Sequence, residues 1–89
     1  MKIKEIYELR KIGEHYVVAR RGEKTSVVFA LNETGAFLWE GILHGMSKSA
    51  LCEKLCQEYE ADRDEEAMIL ADVDEFLEQL DQRGVLEKD

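Results

Sequence analysis

Two cysteines, Cys52 and Cys56, are the side chains in this sequence whose type and spacing come closest to a chemical site. They stand four residues apart, so on a helix both thiols would lie on one face. A zinc site would need two more ligands, and the only histidines, His15 and His44, are isolated. A single pair is also too few for a disulfide framework. We therefore expect two core cysteines and no bound metal.

Patterns typical of catalysis are not found elsewhere in the chain. No His-Glu-x-x-His segment occurs, and the glycines have the wrong spacing for a phosphate-binding loop. Acidic residues such as Asp74 and Glu78 recur at helical steps, which is typical of a solvated helix face. Paired catalytic carboxylates need a cleft that separates their pKa values, and a short chain has little material for one. We expect a protein that is not an enzyme and needs no cofactor.

Length and composition set the class of protein. Eighty-nine residues with no proline and six glycines predict one domain spanning residues 1–89. A hydrophobic content of 45% with 36% charged residues is typical of a soluble globular chain. No apolar run approaches the roughly 20 residues of a membrane span, and the N-terminus lacks the apolar core of a signal peptide. These features predict a cytoplasmic protein without a membrane partner.

The charge, −8 in total, is unevenly distributed along the chain. Residues 1–31 carry seven Lys/Arg against four acids, whereas residues 61–89 carry three against eleven. In a winged-helix DNA-binding protein a late helix enters the major groove. Here that helix would be residues 64–83, with eight acids and one arginine. Because DNA affinity comes mainly from Lys/Arg that neutralise phosphates, we expect no nucleic-acid partner.

The first third of the chain predicts a three-stranded antiparallel sheet. Residues that favour β-structure indicate strands over about residues 6–12, 15–20 and 26–31. Gly13-Glu14 has the pattern of a type II′ turn, with glycine first. The third strand contains five consecutive apolar residues, Val27 to Leu31, with no charge or proline. In a simple meander this strand lies at an edge, where an apolar strand offers its backbone to another chain.

The rest of the chain predicts three helices, over about residues 33–44, 47–60 and 64–83. Asn32 and Ser47 are the expected N-caps, and Gly45 and Gly84 are expected to follow the ends of the first and last helices. Apolar residues recur at three- and four-residue steps between these signals. The expected fold is α+β and winged helix-turn-helix-like, with a three-stranded antiparallel sheet followed by three helices.

Three segments of the chain carry a resemblance to a known family. Ala30 to Glu40 contains the pattern Leu-Asn-x-Thr-Gly-x-x-x-Trp, and Leu51, Leu55 and Tyr59 follow on the next helix. Asp72 to Leu80 is then closed by Gly84-Val85-Leu86. With these segments the chain resembles the PqqD-like proteins, the pyrroloquinoline quinone biosynthesis protein D group, also called RiPP recognition elements, over nearly its whole length.

The resemblance implies a non-catalytic, free-standing peptide-binding module. Such a module binds the leader of a ribosomally made precursor peptide and presents it to a modifying enzyme, often a radical S-adenosylmethionine protein. The leader would lie as a fourth strand against the third strand, in the groove beside the last helix. The peptide-binding residues expected on this basis are Val27, Val28, Phe29, Ala30, Leu31, Leu70, Asp74, Leu77 and Asp81.

The choice of Leu70, Asp74, Leu77 and Asp81 comes from a helical wheel of the last helix. The core stripe of this helix consists of Ile69, Val73, Phe76 and Leu80. The four chosen residues border it on one side, and Met68, Asp72, Gln79 and Arg83 border it on the other. On the first flank an exposed Leu70 would suit an apolar leader residue, and Asp74 and Asp81 would suit a basic one. A buried Leu70 is an equally open interpretation.

A second interpretation of the apolar edge remains open beside peptide binding. The strand from Val27 to Leu31 could pair with a second copy of the chain, which would make the protein a structural or regulatory subunit that forms a homodimer. Both interpretations need the outer side of this strand to be unpaired within the chain.

Overall fold

The computed structural model describes residues 1–24 and 26–87, which form a three-stranded antiparallel sheet followed by three helices. The strands are β1 Tyr7–Ile12, β2 His15–Arg20 and β3 Val27–Leu31. The helices are α1 Glu33–Leu43, α2 Lys48–Glu58 and α3 Arg63–Gln82. The α+β class predicted from the sequence, with its order of three strands and three helices, is confirmed.

The sheet has the order β1-β2-β3, so β3 lies at an edge. Ile12 pairs with His15 across the first turn, and Gly13 has a φ of +61°. Glu14 does not have a positive φ, which agrees with a type II′ turn and not with type I′. In β3, Phe29 pairs with Val18 and Val27 with Ala19, so the pairing skips Val28 and the strand bulges there.

Each helix begins after a polar residue that accepts a backbone N–H of the first turn. Asn32 Oδ1 accepts from Gly35 at 2.7 Å, Ser47 Oγ from Ala50 at 3.2 Å, and Asp62 Oδ1 from Glu65 at 2.9 Å. The Asp62 cap places the start of α3 at Arg63, one residue before the expected position. α2 ends at Glu58, earlier than expected, because Glu60 adopts a left-handed φ of +49° that a helix cannot continue.

One hydrophobic core joins the sheet to all three helices. Trp39 of α1 is fully buried in it, and the other fully or almost fully buried large side chains are Leu38, Leu51, Leu55, Leu80, Val18, Val73 and Val85. The chain ends are tied together, since Ile3 bridges to Leu86 and the Lys4 N–H donates to the Val85 carbonyl at 2.9 Å. Val85 and Leu86, which follow α3, therefore pack onto the core. This packing helps to hold the end of α3 in place.

Among residues 1–24 and 26–87, no helix combines the length and the apolar composition needed to cross a bilayer.

Candidate functional site

The outer side of β3 is an open sheet edge. Within the described residues no strand pairs with it. Val27 and Val28 are exposed, with 58% and 36% of their surface accessible, whereas Phe29 and Leu31 pack against the core. The strand thus combines an anchored inner face with a solvent-accessible backbone edge, which is the arrangement that accepts an added strand.

The opposite edge of the sheet, β1, carries charged side chains. Arg10 forms an ion pair with Glu8 at 2.8 Å and donates to the Arg20 carbonyl at 3.1 Å, and Arg21 lies 3.9 Å from the Glu8 carboxylate. The hydrogen bond from Arg10 is the main cause that lowers the pKa of Glu8. Charged residues on an edge strand discourage the addition of another strand. The two edges therefore differ, and β3 is the one without charge.

A groove of about 370 Å³ lies between β3 and α3. Its walls come from the end of β3, the start of α1 and the middle of α3, and its lining residues are Ala30, Leu31, Asn32, Thr34, Gly35, Leu38, Asp72, Glu75, Phe76 and Gln79. Leu38 is almost fully buried and Phe76 is half-buried, whereas Asp72, Glu75 and Gln79 are exposed. The groove thus has an apolar floor and a polar, acidic rim on its α3 side.

Gly35 allows the three walls of the groove to meet. A Cβ atom at this position would lie 3.3 Å from Leu31 Cδ2, 3.3 Å from Phe76 Cε1 and 3.2 Å from Asn32 Oδ1. These distances are tighter than ordinary van der Waals contact, so a side chain here would require the neighbouring side chains to shift by a few tenths of an ångström. The glycine thus serves close packing at the floor of the groove.

Arg83 adds a second contact between the end of α3 and β3. Its guanidinium lies over the Phe29 ring, 4.6 Å from the ring centroid, in a cation–π contact. Arg83 follows the last residue of α3, so this contact ties the end of the helix to the middle of the strand. The Arg83–Phe29 contact and the packing around Gly35 therefore both hold β3 in place beside α3.

The structure brings only part of the predicted peptide-binding set together. Val27 to Leu31 run along the open edge, and Ala30 and Leu31 also line the groove. Leu70 and Asp74, however, lie on the side of α3 that faces α2. Asp74 forms an ion pair with Lys48, and Leu70 lines a separate cavity of about 620 Å³ with Cys52 and Cys56.

The expected placement of that flank beside β3 is therefore corrected. Leu77 is half-buried against the core and Asp81 is exposed, and neither lines the β3–α3 groove. The physical reason is that α2 packs on this flank, so that the opposite flank of α3 faces the sheet. Asp72 and Gln79 belong to that opposite flank.

Sequence reasoning missed Glu75 and placed Phe76 only in the core stripe, although both line the groove. The helical period separates the two flanks of α3 but does not say which one meets the sheet. One feature of the sequence does indicate that the flank of Leu70 and Asp74 packs on α2. Leu70 is apolar, and so is the face of α2 that carries the two cysteines. An apolar flank of this kind indicates helix–helix packing.

The two cysteines are half-buried and unbonded to each other. Burial raises the pKa of both thiols, and the nearby Glu66 carboxylate adds to the effect at Cys56. A raised pKa keeps a thiol protonated at neutral pH and lowers its nucleophilicity. Within the described part of the chain, no three His, Cys, Asp or Glu side chains cluster in a way that could hold a metal ion.

Comparison with known proteins identifies the family. Residues 14–86 match the family described as "Coenzyme PQQ synthesis protein D (PqqD)", and the chain belongs to it. A solved structure described as "TbiB1 in Complex with the TbiA(beta) Leader Peptide" is similar, with a TM-score of 0.78 and 24% sequence identity. The alignment covers 100% of this chain and 98% of that one, so the two share the fold over their whole lengths. No curated protein gives a significant sequence match.

Proposed function

We propose that this protein is a non-catalytic module that binds the leader of a ribosomally made precursor peptide and presents it to a modifying enzyme. The observation that carries the proposal is the open, uncharged edge of β3 beside the groove formed with α3. Membership of the PqqD family supports it, as does the shared fold with a protein whose structure was solved with a leader peptide.

The leader would bind by strand addition to β3. Main-chain hydrogen bonds with the edge from Val27 to Leu31 would supply affinity, and side chains directed toward α3 would supply selectivity. The α3 residues in this proposal are Asp72, Glu75, Phe76 and Gln79, which line the groove, in place of the flank facing α2. Leu38 and Phe76 would receive an apolar leader residue on the groove floor.

The modifying enzyme would supply the chemistry. The protonated thiols of Cys52 and Cys56 are poor nucleophiles, and they line a cavity on the other side of α3 from the groove. A radical S-adenosylmethionine protein is the enzyme class that we propose, in keeping with the family resemblance. Presentation would then consist of holding the leader extended along β3 while the rest of the precursor reaches the enzyme.

Titration with candidate leader peptides tests strand addition directly. We expect the amide NMR signals of Val27 to Leu31 and of the groove side of α3 to shift. Shifts confined to β1 and β2 would contradict the proposal. Replacing Val28 with proline removes a backbone N–H and places a ring on the edge, so binding should be lost while the helices stay folded. Val28→Ala keeps the N–H and serves as the matched control, which should retain most of the affinity.

Self-association is the second candidate function, and the same exposed edge favours it. Val27 and Val28 present apolar surface beside an unpaired backbone, which is a template for a second copy of β3. Light scattering coupled to size exclusion over a wide dilution range separates the candidates. A concentration-dependent dimer that Val28→Pro abolishes, together with no affinity for any leader peptide, would favour self-association.

A further inference from the structure

We propose that Asp72 and Glu75 make the groove selective for a peptide that carries a lysine or arginine two positions from its apolar anchor residue. This inference rests on the proposed function and deepens it, because it names the chemistry of the segment that the groove prefers. Three features support it: the charge of the rim, the partners of the neighbouring polar groups, and the spacing of the rim from the apolar floor.

The charge facing the groove is entirely negative. Asp72 and Glu75 are the only charged residues in its lining, and both are exposed. Neither has a salt-bridge partner among the described residues, and Glu75 accepts only a long hydrogen bond of 3.5 Å from Gln79. Asp74, on the side of α3 that faces α2, is instead paired with Lys48. Within residues 1–24 and 26–87, a lysine thus pairs with Asp74 on one side of α3, and no cationic side chain pairs with the acids on the groove side.

The polar residues near the two carboxylates have other partners and do not form an ion pair with them. Asn32 uses its side-chain oxygen to cap Gly35, and Thr34 shares a 2.9 Å hydrogen bond with the Tyr59 hydroxyl. Arg83 stacks on Phe29, and it follows Glu75 by eight residues, which corresponds to about 12 Å along a helix. A basic side chain of a bound peptide would therefore meet these two carboxylates without competition from a cationic side chain of the described residues.

The spacing of the rim fits one extended segment. Asp72 and Phe76 are one helical turn apart, which is about 6 Å along α3. In an added strand, side chains two residues apart point to the same face and are separated by about 7 Å. A peptide strand that runs along α3 with an apolar side chain on Leu38 and Phe76 would therefore bring a side chain two positions away close to the carboxylates. The long apolar stem of lysine or arginine can cover the floor while its charge reaches the rim.

Selection from a displayed library of random linear peptides tests the inference. We expect the retained peptides to carry a lysine or arginine two positions from a large apolar residue. Replacing that basic residue by norleucine, which has a similar length and no charge, should weaken binding about two- to fivefold. The double variant Asp72→Asn/Glu75→Gln should bind the basic peptide more weakly by a similar factor and should no longer distinguish it from the norleucine peptide.

The matched control is Asp74→Asn/Glu78→Gln, which removes the same net charge from residues outside the groove lining. It should keep the preference for the basic peptide, because a general attraction of cations to an acidic protein would be reduced equally in both double variants. Selected peptides that shift the amides of Val27 to Leu31 but show no basic preference would overturn this inference and leave the proposed function intact. If no peptide from the library or from candidate leaders reaches β3, both fail.

Discussion

Two buried glycines of α1, Gly35 and Gly41, set how closely this helix approaches its neighbours. Gly35 meets Leu31 and Phe76 at the floor of the groove, whereas Gly41 meets α2. A Cβ atom at Gly41 would lie 2.5 Å from Leu51 Cδ2 and 3.2 Å from the Met46 sulfur. A Cβ atom at this distance would force the fully buried Leu51 side chain to shift. Glycine at position 41 therefore lets α1 and α2 pack this closely.

Gly41→Ala should destabilise the protein. Overpacking against Leu51 costs about 1–3 kcal/mol, and the better helix propensity of alanine returns about 1 kcal/mol, so the balance is about 0–2 kcal/mol and we expect a net loss near 1 kcal/mol. Urea unfolding followed by circular dichroism measures the change. In the double variant Gly41→Ala/Leu51→Ala, the total loss of stability should be smaller than the sum of the losses in the two single variants. The reason is that the shorter side chain at position 51 makes room for the added methyl group. A Gly41→Ala variant as stable as the wild type would contradict the packing account.

Trp39 shows that a large aromatic residue in the segment that carries the family resemblance can be purely a core residue. Its side chain is fully buried and does not line the groove. The indole N–H finds no hydrogen-bond acceptor among the described residues, which costs about 1–3 kcal/mol. Burial of the large apolar ring offsets that cost. The tryptophan therefore holds α1 against the sheet and helices, and it contributes to the groove only by fixing α1.

At the scale of elements, the junction between β3 and α1 serves the fold and the groove together. A single residue, Asn32, separates the strand from the helix. Its side-chain oxygen caps α1 through Gly35, and its atoms form part of the groove wall. Asn32 thus fixes the start of α1 and also lies where a peptide would bind. We expect the helix cap and peptide affinity to be coupled at this residue.

Asn32→Ala should lower the free energy of unfolding by about 1 kcal/mol, the usual effect of removing an N-cap. It should also weaken peptide binding, because the groove wall would lose its anchored polar residue. Ser47→Ala removes the matching cap of α2, which does not line the groove, and should cost similar stability without changing affinity. Asn32→Asp keeps the acceptor and should restore stability. Thermal unfolding and peptide titration on the same samples measure both effects, and equal affinities for Asn32→Ala and Ser47→Ala would contradict the coupling.

α3 has a different partner on each of its flanks. Its groove side meets β3 through Phe76 and, past its end, through Arg83, and its other side meets α2 through the Asp74–Lys48 pair. The ion pair raises the pKa of Lys48, chiefly through the hydrogen bond with Asp74. Both partners are exposed, so this pair adds little to stability. The pair marks the flank of α3 that faces α2 and not the sheet.

At the scale of the whole molecule, charge is segregated between the sheet and the last helix. Residues 1–31 have more Lys/Arg than acids, whereas α3 carries most of the excess negative charge. Acids spaced three or four residues apart on one helix repel one another, and the cost is screened by salt. The same negative field would attract a basic peptide to the groove. Salt should therefore affect folding and peptide binding in opposite directions.

Raising NaCl from about 0.1 M to about 1 M shortens the Debye length from about 10 Å to about 3 Å. We expect the melting temperature to rise, because repulsion within α3 is screened, and the affinity for a basic peptide to fall. Differential scanning calorimetry and isothermal titration measure the two effects. The norleucine peptide is the control, since its affinity should change little with salt. A basic peptide whose affinity is independent of salt would contradict the electrostatic part of the account.

Features set by near neighbours in the chain could be predicted from the sequence. Asn32 and Ser47 cap their helices as expected, and Gly13 makes the expected turn, because each depends on hydrogen bonds and dihedral angles within a few residues. The run from Val27 to Leu31 indicated a strand without protective charges, and its place at the sheet edge follows from the meander order. The fold class and the exposed edge were therefore accessible without coordinates.

The sequence could not show which element packs against each flank of α3. Both flanks of α3 have the same helical period, and the one beside β3 is decided by α2, which covers the flank of Leu70 and Asp74. The bulge at Val28 likewise depends on the register between β2 and β3. Amino-acid order alone was enough to define the elements and the apolar edge, because these obey local rules. Tertiary packing alone chose the groove and its acidic rim, because that choice depends on contacts between segments distant in the chain.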